Sequence, residues 1–316
     1  MYLLDTVVCI QLLRGNNTII EKLKKLISQS IKAGFYNIDI DASTLVDYQQ
    51  ETIKGQQKSN YEITAQLAKF TRQIEPKGIT VSLGGEIGHI GGKNSTEEEL
   101  RAFMDGFTKQ FGPGATGLSK ISIQTGTHHG GVILPNGKLA QADVDFEVLK
   151  NLAQIARQYG MGGTVQHGAS TLPDKYFNQF PKAEAIEVHL ATGFQNIIFD
   201  HPNFPKQLLK KIYNWLDNNF VNEKKEGWTN QQFYYKLRKK AWGQFKKEIW
   251  DLPEEIKKPI INDLKKRFIF IFKALNIENT KEMVEKYIPC HCEESATPLS
   301  LRGVCDEAIS IKYLRN

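Results

Sequence analysis

The strongest constraint on this chain is a rhythm. Before about residue 200, five short β-rich runs alternate with amphipathic stretches, and each run ends in a polar or glycine-containing turn. The runs are Asn37-Ile-Asp-Ile-Asp41, Gly78-Ile-Thr-Val-Ser-Leu83, Lys120-Ile-Ser-Ile-Gln124, Gly163-Thr-Val-Gln166 and Ala185-Ile-Glu-Val-His-Leu190. Helical spacing fills the intervals at residues 61–75, from Ser95 onward, and at 145–159. Ser95 or Thr96 is a natural N-cap, with Glu98 or Glu99 spaced for a reciprocal cap. Alternating strands and helices at this spacing build parallel βα units.

The turns carry the information. Asp41-Ala-Ser43, Glu86, Thr125-Gly-Thr-His-His-Gly130, His167-Gly-Ala-Ser170 and His189-Leu-Ala-Thr-Gly193 all follow strand C-terminal ends, and six of the seven histidines fall between residues 89 and 201. Active sites assembled from the C-terminal ends of several strands belong to (β/α)8 barrels. A dinucleotide-binding sheet would instead carry a Gly-rich turn after its first strand and a single crevice. The expected fold is therefore α/β, of the (β/α)8 TIM-barrel family. It is expected as an incomplete barrel, because only five clear strands accompany an ambiguous apolar stretch at residues 2–13.

Composition bounds the alternatives. With 41% hydrophobic and 24% charged residues among 316, collagen-like and disordered classes are excluded. No run approaches the ~18 apolar residues of a membrane span, and residues 1–14 lack a basic leader and a small-residue cleavage site. Cys9, Cys290, Cys292 and Cys305 do not make a disulfide framework, so a reducing cytoplasm is the expected location. The net charge of +6 is local: residues 203–289 hold 19 basic and 11 acidic residues, a net of +8, which leaves −2 elsewhere. Trp215, Trp228, Trp242 and Trp250 lie in the same stretch. Helical patterns at 204–219, 231–250 and 253–275 interleave lysines with aromatics, which reads as a cap with a solvated basic face and an aromatic core face. No nucleic-acid motif accompanies the charge, so neither nucleic acid nor membrane is an expected partner. The expected layout is an altered remnant at 1–18, a barrel portion at 19–202, the cap at 203–289 and a poorly structured tail at 290–316.

Two His-Gly turns, His129-Gly130 and His167-Gly168, stand out. Two strand-end imidazoles with the Glu86 carboxylate are candidate ligands of an open metal site, since a catalytic zinc keeps about three protein ligands and one free position; the alternative is that one histidine is a hydrogen-bonded orienting residue. Glycine, serine and threonine after the last three strands, at Gly130, Gly168, Ser170 and Thr192, offer N–H groups and hydroxyls to an anion. The run Gly84-Gly-Glu-Ile-Gly-His-Ile-Gly-Gly92 has the wrong spacing for a dinucleotide loop. It reads as a flexible loop that aims Glu86 into the site.

Asp41-Ala-Ser43, Gly85-Glu-Ile-Gly88 with Gly91-Gly92, His129-Gly130 and His167-Gly168-Ala-Ser170 resemble, in order, the motifs of class II, metal-dependent fructose-bisphosphate aldolases. The resemblance covers about residues 19–200 and implies a (β/α)8 barrel whose zinc is held by three histidines, two of them His129 and His167. Glu86 would be the metal-side glutamate and a catalytic group, and Gly130, Gly168, Ser170 and Thr192 would hold substrate phosphate. The implied reaction is metal-dependent aldol cleavage or condensation of a phosphorylated ketose such as fructose 1,6-bisphosphate, giving dihydroxyacetone phosphate and an aldehyde. That chemistry belongs to carbohydrate metabolism and glycolysis, and the resemblance admits a homodimer.

The chain also departs from the family. No Asp-His pair, the family's source of a catalytic aspartate and first zinc histidine, precedes Asp41; the only such pair is Asp200-His201. Lys93 and Asn94 stand where the family has acidic residues, and His189 and Ala191 where it has Asn and Asp. The five runs match the family's last five strands, so the expectation is a barrel lacking its first three. An active aldolase therefore competes with a catalytically impaired homologue that binds sugar phosphate as an accessory protein. A third reading, a nucleic-acid or protein-binding module on an inert half-barrel, has only the basic helices behind it.

Overall fold

The computed structural model describes residues 17–88, 93–114, 116–127, 131–140 and 144–287. Five strands, β1 (Asn37–Ile40), β2 (Ser82–Glu86), β3 (Lys120–Ile123), β4 (Gly163–Gln166) and β5 (Ala185–Val188), form one sheet in chain order. Every neighbouring pair is parallel, with a register shift between Thr164 and Val165 where β4 meets β5. The sheet is five βα units of a (β/α)8 barrel. The expected N-terminal remnant lies almost wholly, and the tail from Cys290 wholly, outside the described residues.

The helices follow the predicted rhythm. Helix α1 (Asn17–Lys32) precedes β1; α2 (Lys58–Ile74), α3 (Glu97–Phe111) and α4 (Phe146–Gln158) fill the next three crossovers. Thr96 caps α3 through the Glu99 amide, and the Glu99 carboxylate returns to the Thr96 amide at 2.9 Å, completing the reciprocal cap. Asp145 caps α4 in the same way through the Val148 amide. The apolar stripes of these helices cover the outer face of the sheet, where Ile40, Leu83, Ile121 and Ile123 are buried. Phe103 of α3 packs onto β2 at Gly85, and Leu149, Leu152 and Ala156 of α4 are buried with it.

One boundary corrects the sequence reading. The second strand spans Ser82–Glu86, not residues 78–83. Gly78 is still in a left-handed turn (φ +83°), and the Ile79 amide bonds back to the Pro76 carbonyl. Side chains then satisfy Val81, whose amide donates to Glu75 and whose carbonyl accepts from Arg72. Gly84, Gly85 and Glu86 are thus strand residues rather than a flexible loop. The rest of that glycine run, residues 89–92, lies outside the described residues.

After β5, α5 (Thr192–Phe199) leads into α6 (Lys206–Phe220), α7 (Asn230–Leu237), α8 (Glu254–Ala274) and α9 (Lys281–Tyr287). Phe199, Phe204, Ile212, Leu216, Phe233, Leu237 and Phe245 form a second core, with Trp215, Trp228 and Trp242 packed against it. Trp250 is exposed. The predicted helix at 231–250 is broken into shorter turns beyond Leu237, where the buried Arg238 guanidinium bonds Asp200 and Asn196. The chain divides into two compact units at Arg267 and Phe268. No helix of the described residues is long and apolar enough to cross a membrane.

The reciprocal cap on α3 is testable. Thr96→Ala is expected to lower unfolding stability by about 0.5–2 kcal/mol, read as a lower urea midpoint at unchanged slope.

Candidate functional site

Side chains alternate faces along a strand, so the register decides which residues share the inner face. The pairs Asp39↔Gly84, Gly84↔Lys120 and Glu86↔Ser122, followed by Ser122↔Val165 and Val165↔Glu187, place Asp39, Glu86, Lys120, Ser122 and Glu187 there. His167 and His189 extend the same face just past β4 and β5. Purely parallel sheets are normally apolar on both sides; this inner face is charged.

At its centre is Lys120, 1% exposed. Its Nζ donates to Asn37 Oδ1 at 2.5 Å and to Glu187 Oε1 and Oε2 at 2.7 and 2.6 Å, and lies 3.0 Å from Asp39 Oδ1. Asn37 also donates to Glu187 at 3.1 Å, so side chains of the two edge strands meet across the inner face. Gly84 makes this possible: a Cβ there would stand 2.1 Å from Asp39 Oδ1 and 3.0 Å from Lys120 Cε. His189 Nε2 lies 2.5 Å from Glu187 Oε1 and 3.3 Å from Asp39 Oδ2. Asp39, Glu187 and His189 bring three ligand-type atoms within 4.8 Å of one another.

A second group sits beside it. His167 Nδ1 is 3.4 Å from Glu86 Oε2, and its Nε2 is 3.1 Å from Ser122 Oγ. The His167 and His189 rings stack at 4.4 Å between centroids, joining the two groups. Asp41 accepts from the Ser43 amide and hydroxyl, which fixes the Asp41-Ala-Ser43 turn.

The two glutamates are driven apart. Burial, then the charges of Asp41 and Asp39, holds the Glu86 carboxyl well above the usual range. Burial also pushes Glu187 up, but hydrogen bonds from His189 and Lys120 and the Lys120 charge outweigh it and bring the carboxyl down to about 2. A cation beside Glu86 would relieve what raises it. Glu86 and His167 supply carboxylate and imidazole, donors that divalent metals accept, and in that respect the residues fit the implied metal.

His129 and Gly130 lie outside the described residues, but their flanks are fixed. Gln124 Oε1 accepts from the amides of Thr125, Gly126 and Thr127, and Thr127 Oγ1 donates to the His167 carbonyl at 2.8 Å. On the far side, Lys236 and Gln232 of α7 donate to the carbonyls of Gly131 and Ile133. The anion-type residues also converge. Gly168, at φ +70°, opens the tight turn Ala169–Thr171. Gly193 lies so close to that turn that a Cβ would meet the Ser170 carbonyl oxygen at 2.2 Å. Ser170 and the amino end of α5 at Thr192 are therefore neighbours.

Asp39, Lys120 and Glu187 were not picked out by motif. Their signal was the alternation Asn-Ile-Asp-Ile, Lys-Ile-Ser-Ile and Ile-Glu-Val-His, which repeats a polar residue on one face of three strands.

The glutamates predict opposite pH dependences. A folded carboxyl raised above its unfolded value costs stability as pH rises past the ordinary carboxylate range; one lowered contributes stability that is lost as pH falls from 4.5 toward about 2. In metal-free protein, Glu86→Gln is expected to raise the thermal midpoint at about pH 8 and to change it little in acid. Glu187→Gln is expected to lower it at neutral pH, the difference closing as the pH approaches about 2. Thermal scans across pH read both.

The family profile for fructose-bisphosphate aldolase class-II matches residues 18–251. Among solved structures, one assigned as a fructose-1,6-biphosphate aldolase from Coccidioides immitis is 13% identical over 74% of this chain and 70% of its own, with a TM-score of 0.36. The YdjI aldolase from Escherichia coli K12 is 13% identical over 70% of this chain and 63% of its own, at 0.36. A structure assigned as a tagatose 6 phosphate kinase from Sinorhizobium meliloti 1021 is 12% identical over 86% and 68%, at 0.48. No curated protein sequence matches. With the profile spanning most of its length, the chain belongs to the class II fructose-bisphosphate aldolase family.

Proposed function

We propose that this chain carries out metal-dependent aldol cleavage and condensation of a phosphorylated ketose such as fructose 1,6-bisphosphate. The observation that carries the reading is the contact of Glu86 with His167 on the inner face, at the carboxyl ends of β2 and β4. Glu86, His167 and His129 would hold the divalent cation, zinc by the family resemblance. When bound, that cation supplies the positive charge that stabilises an enediolate.

The chain's own residues supply the rest. Burial and the nearby aspartates disfavour the ionised form of Glu86, a cost that a bound cation would offset. Cleavage takes a proton from the C4 hydroxyl oxygen and delivers one to the enediolate carbon; we assign Glu86 to one of these two transfers, and the other needs a second group. Ser122 orients the His167 ring through Nε2. Gly168, Ser170 and Thr192, with Gly130, would receive the substrate phosphate on hydroxyls and on backbone N–H groups around the start of α5.

A coupled cleavage assay with fructose 1,6-bisphosphate tests this. Activity is expected to vanish with a chelator and to return with a divalent metal. His167→Ala is expected to lower kcat/KM by about 100-fold or more, since loss of even an outer partner of a metal ligand costs 10–100-fold. Absence of chelator-sensitive cleavage, with phosphorylated ketose still bound, would instead give the accessory sugar-phosphate-binding reading. Gly193→Ala would force the Ser170 turn away from α5, and a displacement near 1 Å is expected to cost roughly 10–100-fold in kcat/KM. Inorganic phosphate should then inhibit less well in the same assay.

A further inference from the structure

The Asp39, Glu187 and His189 group is separate in composition from the Glu86 and His167 pair that carries the proposed reaction, and Lys120 stands at its centre. Four oxygens surround the ammonium at 2.5–3.0 Å: Asn37 Oδ1, both Glu187 carboxylate oxygens and Asp39 Oδ1. The imidazole of His189 closes the same cluster against Glu187 and Asp39. An oxygen cage with an imidazole on its rim is a shell that a divalent ion accepts. The absence of a side chain at Gly84 leaves room for it. Two carboxylates face one ammonium, so a single positive charge does the work that two would do more completely.

We propose that Asp39, Glu187 and His189, with Asn37, form a second divalent-cation site whose resident cation is the Lys120 ammonium. Lys120 occupies the position an ion would take, and thereby confines the folded chain's divalent metal to the Glu86 and His167 group. The stacked rings of His167 and His189, 4.4 Å apart, show why this matters. Two divalent ions in adjacent groups would repel strongly in a buried setting, whereas one divalent ion and one ammonium repel about half as much. The proposal rests on the metal reading of the Glu86 and His167 group only for that last consequence; the cage itself stands on its own geometry.

Cobalt(II) titration of the full chain, followed by visible absorption and by bound metal per chain, tests the inference. Lys120→Met, similar in length but uncharged, is expected to bind one more equivalent than the unaltered chain. Lys120→Met with His189→Gln is expected to lose that equivalent and its nitrogen-dependent absorption. His189→Gln alone is expected to leave the stoichiometry unchanged. The inference is overturned if Lys120→Met binds no additional ion, or if His189→Gln alone removes one, since the cage would then be open already. A Lys120→Met chain that folds only with cobalt present supports replacement of the ammonium by the ion; one that folds neither with nor without it rejects that replacement. Failure of the Glu86 and His167 site reads differently: the unaltered chain would bind no cobalt, while the extra equivalent in Lys120→Met would remain.

Discussion

The buried ammonium of Lys120 is the interaction on which the site depends. A rolled parallel sheet must fill its inner face, and barrels of this kind usually do so with branched apolar side chains. Here one lysine on the central strand reaches Asp39 on β1 and Glu187 on β5, the two edges of the sheet. A buried charge is tolerable only when paired and hydrogen-bonded, and breaking such a pair by removing one partner is strongly destabilising. The curvature that brings Asn37 against Glu187 therefore has an electrostatic component as well as the outer packing of α2, α3 and α4. Glycine at position 84 is the steric condition for it.

The same charge separates the two glutamates. Glu187 has the ammonium and His189 beside it and stays ionised far into acid. Glu86, on the same face, has burial and two aspartates against it. Two carboxyl groups with opposed tendencies are a recurrent basis for dividing roles within one site. The division here is set by which neighbour each strand position faces, and the register fixes that.

Much of the fold was legible because the βα rhythm is local. Strands β1, β3 and β4 begin at the expected residues, and the α3 cap follows from Thr96 and Glu99 being three apart. The start of β2 was not legible. Residues 78–81 have strand-like composition, but Arg72 and Glu75, side chains from the end of α2 and just beyond it, take up the Val81 hydrogen bonds that a strand would need. The site was half legible. Glu86 and His167 announce themselves as strand-end residues, and they do meet. The charged cage was hidden because Lys120, Asp39 and Glu187 lie on strands separated by long intervals, and only the register shows that they share a layer. The break after Leu237 was equally hidden, since the ion pair of Arg238 with Asp200 is a long-range contact.

The bonds from Lys236 and Gln232 to the Gly131 and Ile133 carbonyls have a consequence for local opening. The segment after β3 is moored at one end to β4 through Thr127 and at the other to α7. Neither mooring is part of the sheet's own hydrogen-bond ladder. Helix α7, about a hundred residues downstream, thus holds the backbone at Gly131 and Ile133, and its partial melting would release those two carbonyls while the strands stayed intact.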